Sequence, residues 1–173
     1  AQQYFVLGIG GTGMRCIESL IHLCAMGMFD DTDIHLLALD TDKDNGNFAR
    51  LKEVKEAYVK AKGTDASLRT ALNETFFSAN INYYEFSPNY EVKSDFMSVF
   101  NYGDTKFNNP EQTAIADLVL NKNVETFNLR HGYRAQTHLG SMMMYHSILE
   151  AARSNKNSEL KTYLQKLIQV AQN

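Results

Sequence analysis

The stretch Tyr4-Phe5-Val6-Leu7-Gly8-Ile9-Gly10-Gly11-Thr12-Gly13-Met14 decides the fold. An aromatic and aliphatic run leads into four closely spaced glycines, and an apolar-periodic segment follows at once. A buried strand, a tight turn and a helix start are therefore expected within one motif. Glycines let a backbone approach a phosphate with no Cβ in the way, and the unpaired N–H groups and dipole of a helix start favour an anion. Gly8, Gly10, Gly11 and Gly13 are candidate phosphate-binding residues, and Thr12 adds a hydroxyl to the same cradle. No Gly-Lys-Ser/Thr follows, so the motif is not a Walker-type loop. The competing reading is a strand-to-helix turn with no ligand.

Outward from this motif, Ile17, Leu20, Ile21, Cys24 and Met28 recur at helical spacing and predict a helix over 14–28, with Arg15, Glu18 and Ser19 toward its polar side. Residues 29–33 read as a polar connection, and Ile34-His35-Leu36-Leu37-Ala38-Leu39 as a second buried strand ending at Asp40. Strand, glycine turn, helix and strand start a right-handed βαβ unit. The expected class is α/β, a Rossmann-like parallel sheet flanked by helices.

Ligands of open α/β sheets sit beyond the carboxyl ends of the strands, which makes Asp40-Thr41-Asp42-Lys43-Asp44-Asn45-Gly46-Asn47 the next candidate. A carboxylate at this strand tip takes a ribose hydroxyl in dinucleotide folds, yet Asp40 lies 32 residues after Gly8, beyond the usual ~20. A calcium loop is disfavoured: counted from Asp40, Asn45 falls where the turn glycine belongs and Leu51 where a bidentate Glu belongs. Counting from Asp42 rescues Glu53 but puts Asn47 at the glycine position. The alternative is a solvated turn with helix-capping carboxylates.

Phe48, Leu51, Val54, Tyr58 and Val59 predict a helix to about residue 62, broken at Gly63, with Asp65 capping a second one that carries Leu68, Leu72 and Phe76. A short strand is expected over 81–86 and a short helix after Ser94, within an aromatic-rich, irregular region over 80–109. Asn109-Pro110-Glu111 is a helix start leading to Ile115, Leu118 and Val119. Residues 47–128 thus read as a largely helical insertion after the second strand.

Residues 129–140 gather Arg130, His131, Arg134 and His138 with two glycines and no acid before a helix containing Met142, Met143, Tyr145 and Leu149. An electropositive loop at a helix start complements a polyphosphate, though pairing of the arginines with surface carboxylates is the alternative. His131, His138 and His146 match no metal-ligand spacing, and no metal site is assigned. The Met142-Met143-Met144 run reads as core filling. Leu160, Tyr163, Leu164, Leu167 and Ile168 predict a last amphipathic helix opened by Asn157 or Ser158.

With 173 residues, 44% of them apolar, the chain suffices for one buried core and one domain over 1–173. A net charge of −3 and the lack of any basic block argue against nucleic acid as a partner. No apolar run is long enough to span a bilayer and no signal-peptide pattern opens the chain, so a cytoplasmic protein without a membrane partner is expected. Cys16 and Cys24 lie ~12 Å apart along one helix, too far to pair, and are expected as free, buried thiols.

Three stretches together resemble the bacterial tubulin-like proteins, the broad family that includes the cell-division GTPase FtsZ. Gly8-Ile9-Gly10-Gly11-Thr12-Gly13 is similar to that family's first phosphate loop, Leu39-Asp40-Thr41-Asp42 to its Asn-Thr-Asp at the second strand tip, and 135–140 to its third loop. The resemblance covers about residues 4–46 and 132–152. It implies GTP or GDP as ligand, with Mg2+ as an optional companion, and self-association into a homo-oligomer or filament. It also implies that Gly10, Gly11, Thr12 and Gly13 donate to phosphates beside Met14 and Arg15, that Asp40, Thr41 and Asp42 flank the nucleotide, and that Arg134, Gln136, Thr137 and Gly140 face its terminal phosphate. Arg15 stands where the division protein has an asparagine touching guanine, and Asp40 where it has the strand-tip asparagine, leaving the base open. In that family a carboxylate loop of the next subunit completes hydrolysis, and a main glycine-rich loop follows a further strand. The chain is thus expected to be the amino-terminal part of a larger protein and not catalytic alone. Two other functions compete: an NAD(P)-binding Rossmann domain of an oxidoreductase, with Gly8, Gly10 and Gly13 on the pyrophosphate and Asp40 on the ribose, and a ligand-free interaction module using the aromatic-rich insertion.

Overall fold

The computed structural model describes residues 2–65, 75–88, 137–154 and 158–172, with single positions at 110, 111, 114 and 118. Strands β1 (Gln2–Ile9), β2 (Thr32–Leu39) and β3 (Asn80–Phe86) form a parallel sheet in the order β1-β2-β3. In register, Tyr4 lies opposite Ile34 and Ile34 opposite Ile81. Four helices accompany the sheet among the described residues: α1 (Gly10–Ala25), α2 (Asn47–Asp65), α3 (Thr137–Arg153) and α4 (Glu159–Ala171). The class is the expected one, a Rossmann-like α/β sheet flanked by helices, and the third strand joins it directly.

A central parallel strand covered on both faces must be apolar on both, and β2 is. Its Ile34, Leu36 and Ala38 pack with Ile17, Ile21 and Cys24 of α1 and with Leu51 and Tyr58 of α2. Its Leu37 and Leu39 face the other way, against Leu160 and Tyr163 of α4, with Phe5, Tyr84, Met144 and Ile148 around them. Full burial of each Leu or Ile contributes roughly 1.5–3 kcal/mol, so β2 anchors two helical layers at once. Tyr83 and Tyr84 divide between these two cores, the former on the α1/α2 side and the latter on the α4 side.

Several helix limits differ from the sequence reading. Helix α1 starts at Gly10, four residues before the expected position, because the turn needs only the left-handed Gly10 (φ 66°) after an extended Ile9. It ends at Ala25, where the Gly27 amide donates to the Cys24 carbonyl and the Met28 amide to the Leu23 carbonyl, a Schellman cap around left-handed Gly27. Met28 therefore leaves the core stripe and is exposed. Helix α2 continues through Gly63 to Asp65; an exposed glycine costs a helix only ~1 kcal/mol, too little to end it.

Of the second helix expected after Asp65, only Phe76 is described, and it is exposed in a turn. Residues 94–109 lie outside the described residues. Pro110, Glu111, Ala114 and Leu118 are helical as expected, but Leu118 is 86% exposed and stands off the core. Met143 is buried and Met144 packs on the sheet, whereas Met142 faces out. Ser158 caps α4, its hydroxyl accepting the Lys161 amide at 3.2 Å.

Candidate functional site

The strands are parallel, so their carboxyl ends share one edge of the sheet, and there the glycine motif, the Asp40 turn and the start of α3 converge. A cavity of about 510 Å³ opens between them, within the size range of small-ligand sites. One wall is formed by Ile9, Gly10, Leu39, Asp40 and Thr41 at the tips of β1 and β2. The other is the face of α3 carrying Gly140, Ser141, Met144, Tyr145 and Ile148.

The glycines divide the labour. A Cβ on Gly13 would sit 2.7 Å from the carbonyl carbon of Gly8, and one on Gly8 would meet Ile17 Cδ1 at 2.5 Å and Gly13 O at 2.8 Å. These two glycines thus let α1 lie against β1 backbone to backbone. Gly10 has nothing within 4 Å of its Cβ position and lines the cavity. A Cβ on Gly11 would lie 2.9 Å from Asn47 Nδ2, so the start of α2 abuts the start of α1. Helices α1, α2 and α3 therefore bring their amino ends to one region, and none has an acidic residue in its first turn. Ile9 offers α1 no side-chain cap. Helix α4, elsewhere, has both Ser158 as a cap and Glu159 in its first turn. An amino end without a side-chain cap, as at α1, beside helix starts that carry no acid favours an anion.

Asp40 is 9% exposed and faces its own turn. Its Oδ1 accepts the Asp42 amide at 3.2 Å, its Oδ2 accepts Asn45 Nδ2 at 3.3 Å, and its own amide donates to the Phe86 carbonyl at 3.2 Å. Asp42 repeats the turn on the Asp44 amide at 3.0 Å, and Asn45 on the Asn47 amide at 3.0 Å. Successive side chains of this kind fold 40–47 into a chain of local turns. Thr41 is buried beside Asp40.

The other candidates are placed as follows. Thr12 and Arg15 are exposed on α1, whereas Met14 is buried in the α1/α2 core, so its side chain turns away from the cavity. Thr137 opens α3 and Gly140 lines the cavity. Arg134 and Gln136 lie outside the described residues. The sequence reading missed Ser141, Met144, Tyr145 and Ile148, which follow Gly140 at helical spacing and would have been legible from the true start of α3. It also missed Ile9, Leu39 and Asn47, whose roles depend on how the elements meet.

A second cavity of about 590 Å³ lies at the opposite end of the strands, but its polar groups serve one another. Lys62 Nζ donates to Asn80 Oδ1 at 2.8 Å, Asn80 Nδ2 to Asp33 Oδ1 at 2.8 Å, and Gln3 Nε2 to Asp33 Oδ2 at 2.8 Å. Gln3 Oε1 then meets His35 Nε2 at 2.7 Å. Among the described residues, no three His, Cys, Asp or Glu side chains converge so as to hold a metal ion, and no helix is long and apolar enough to cross a membrane.

Fold and cavity together define a Rossmann-like α/β domain with a crevice at the carboxyl edge of its sheet. No family model, curated protein or solved structure matches the chain.

Proposed function

We propose that the chain binds a nucleotide, GTP or GDP in the first instance, in a tubulin/FtsZ-like domain, with the phosphates at the Gly10 turn. One observation carries the reading: Gly10, Asp40, Thr41 and Gly140, drawn from three separate stretches, line a single cavity beside helix ends without acids. Asp42 has one carboxylate oxygen engaged by Asp44. Asp42 is not among the residues lining the cavity, so an accompanying Mg2+ would rest on the phosphates and water. Following the family resemblance, the bound form self-associates, and hydrolysis belongs to the assembly, in the cytoplasm.

The dinucleotide alternative is weaker on a specific point. Asp40 is buried and each of its oxygens already accepts one bond from its own turn, so an adenosine ribose would have to share them. Calorimetric titration with GTP, ATP and NAD tests the proposal: a nucleoside triphosphate binds and NAD does not. Binding of NAD alone supports the oxidoreductase reading, and binding of none overturns both. Sedimentation with and without nucleotide tests self-association.

A further inference from the structure

Among the described residues β3 is an outermost strand of the sheet, and two bonds show which of its backbone groups face outward. The Phe86 carbonyl accepts the Asp40 amide, so Phe86 turns its backbone toward β2. The Glu85 amide instead donates to the Glu159 carboxylate at the start of α4. Backbone direction alternates along a strand, which puts the N–H and C=O groups of Ile81, Tyr83 and Glu85 on the outer edge. The cavity of about 590 Å³ opens beside Ile81 and reaches both faces of the sheet, with Val59 and Lys62 of α2 on one and Tyr84 and Lys166 on the other.

Charge is divided along the same edge. Lys62 and Lys166 line the cavity at its amino end, where the Asp33 carboxylate is held by Gln3 and Asn80. Glu85 and Glu159 stand at its carboxyl end. Glu85 shares the α2 face with Tyr83, whose Oη donates to Glu85 Oε1 at 2.8 Å. Glu159 and Lys166 both belong to α4, ~10.5 Å apart along its axis. Each face thus carries a lysine at one end of β3 and a glutamate at the other.

We propose that this edge docks a second copy of the chain, β3 pairing antiparallel with β3 so that two sheets become one. Reversing the copy about Tyr83 sets Asn80 opposite Phe86 and Ile81 opposite Glu85, and every side chain keeps its own face. Lys62 and Lys166 then meet Glu85 and Glu159 of the second copy, a self-complementary two-fold contact. The Glu85 amide passes to the Ile81 carbonyl of that copy, which releases the Glu159 carboxylate to its Lys166. The contact goes beyond the reading above and needs no nucleotide, so the nucleotide titration can fail without touching it.

Sedimentation equilibrium of the full chain without nucleotide tests the proposal, repeated on Lys166→Glu, Glu159→Lys and the double variant. A monomer–dimer equilibrium is expected, weakened at least about tenfold by each single substitution. The double variant restores opposite charges with their places exchanged and regains most of the loss, which a merely structural role would not do. Amide exchange gives a second readout: Ile81 and Tyr83 exchange slowly in the dimer and fast on dilution. A chain that stays monomeric at every concentration, a dimer indifferent to both single variants, or no recovery in the double variant overturns the proposal. Protection of Ile81 and Tyr83 that persists in the dilute monomer overturns it as well, by showing that the chain itself covers the edge.

Discussion

Gly8 and Gly13 touch through their backbones: a methyl group on Gly13 would lie 2.7 Å from the Gly8 carbonyl carbon and 2.9 Å from its Cα. Helix propensity alone favours alanine over glycine at Gly13 by up to ~1 kcal/mol. The clash opposes this with backbone that has no rotamer to relieve it. Gly13→Ala is expected to lower stability by roughly 1–3 kcal/mol net, measured by urea unfolding. Gly10→Ala, which meets open space but must hold a left-handed conformation, is expected to cost about 1–2 kcal/mol. An unchanged Gly13→Ala midpoint would mean that α1 does not press on β1 as described.

His35 predicts an acid-sensitive fold. Asp33 can only accept from Gln3, so the Gln3 carbonyl must accept from His35 Nε2, leaving Nδ1 as a buried acceptor without a partner. The ring stacks on Phe5 at 4.5 Å. Burial, with Lys166 next, holds the imidazole below its usual range, while Asp33 opposes them. Below about pH 6.5 the unfolded chain therefore takes up a proton that the folded chain refuses. Stability is complete above that pH and falls as pH drops toward the depressed folded value, with a slope of at most about 1.4 kcal/mol per pH unit. Urea midpoints between pH 8 and pH 5 read this, and His35→Phe is expected to flatten the curve.

Tyr58 and Lys62 both serve one carbonyl. Tyr58 Oη donates to the Ala79 oxygen at 2.8 Å and Lys62 Nζ to the same oxygen at 3.0 Å. Tyr58→Phe alone is expected to cost about 0.5–1.5 kcal/mol, since the carbonyl keeps its second donor. Combined with Lys62→Met, the loss should exceed the sum of the single losses by about 0.5 kcal/mol or more. Strict additivity in that cycle would show that the two donors do not share the acceptor.

The two cysteines should label differently. Cys16 is exposed on α1, whereas Cys24 is fully buried and its thiol is pushed up to about 11 by burial. A thiol reagent at neutral pH is expected to modify one cysteine rapidly in the native chain and the second only in denaturant. Equal rates at both sites would contradict the packing of α1.

Strands β1 and β2 were legible because they are continuous apolar runs set apart by glycine and polar turns, whereas the place of β3 beside β2 was not. The start of α1 was not, since Gly10, Gly11 and Gly13 carry no apolar period yet occupy its first turn. Helix α2 outran its expected end because an exposed Gly63 does not outweigh the helix around it. At the site, the sequence singled out Gly10 and Gly140 for phosphate and Asp40 and Thr41 for a place beside a nucleotide, and one cavity is lined by all four. Its apolar half was not, because Ile9, Leu39, Met144, Tyr145 and Ile148 look like ordinary core residues until two of them are seen uncovered.

The Asp40 amide hydrogen is shared property: it belongs to the cavity turn and is held by the last residue of β3. One exchangeable proton thus serves as a gauge for two events. Its replacement by deuterium should slow when the crevice is filled and quicken when the end of β3 frays, so a single resonance would register occupancy and sheet integrity together.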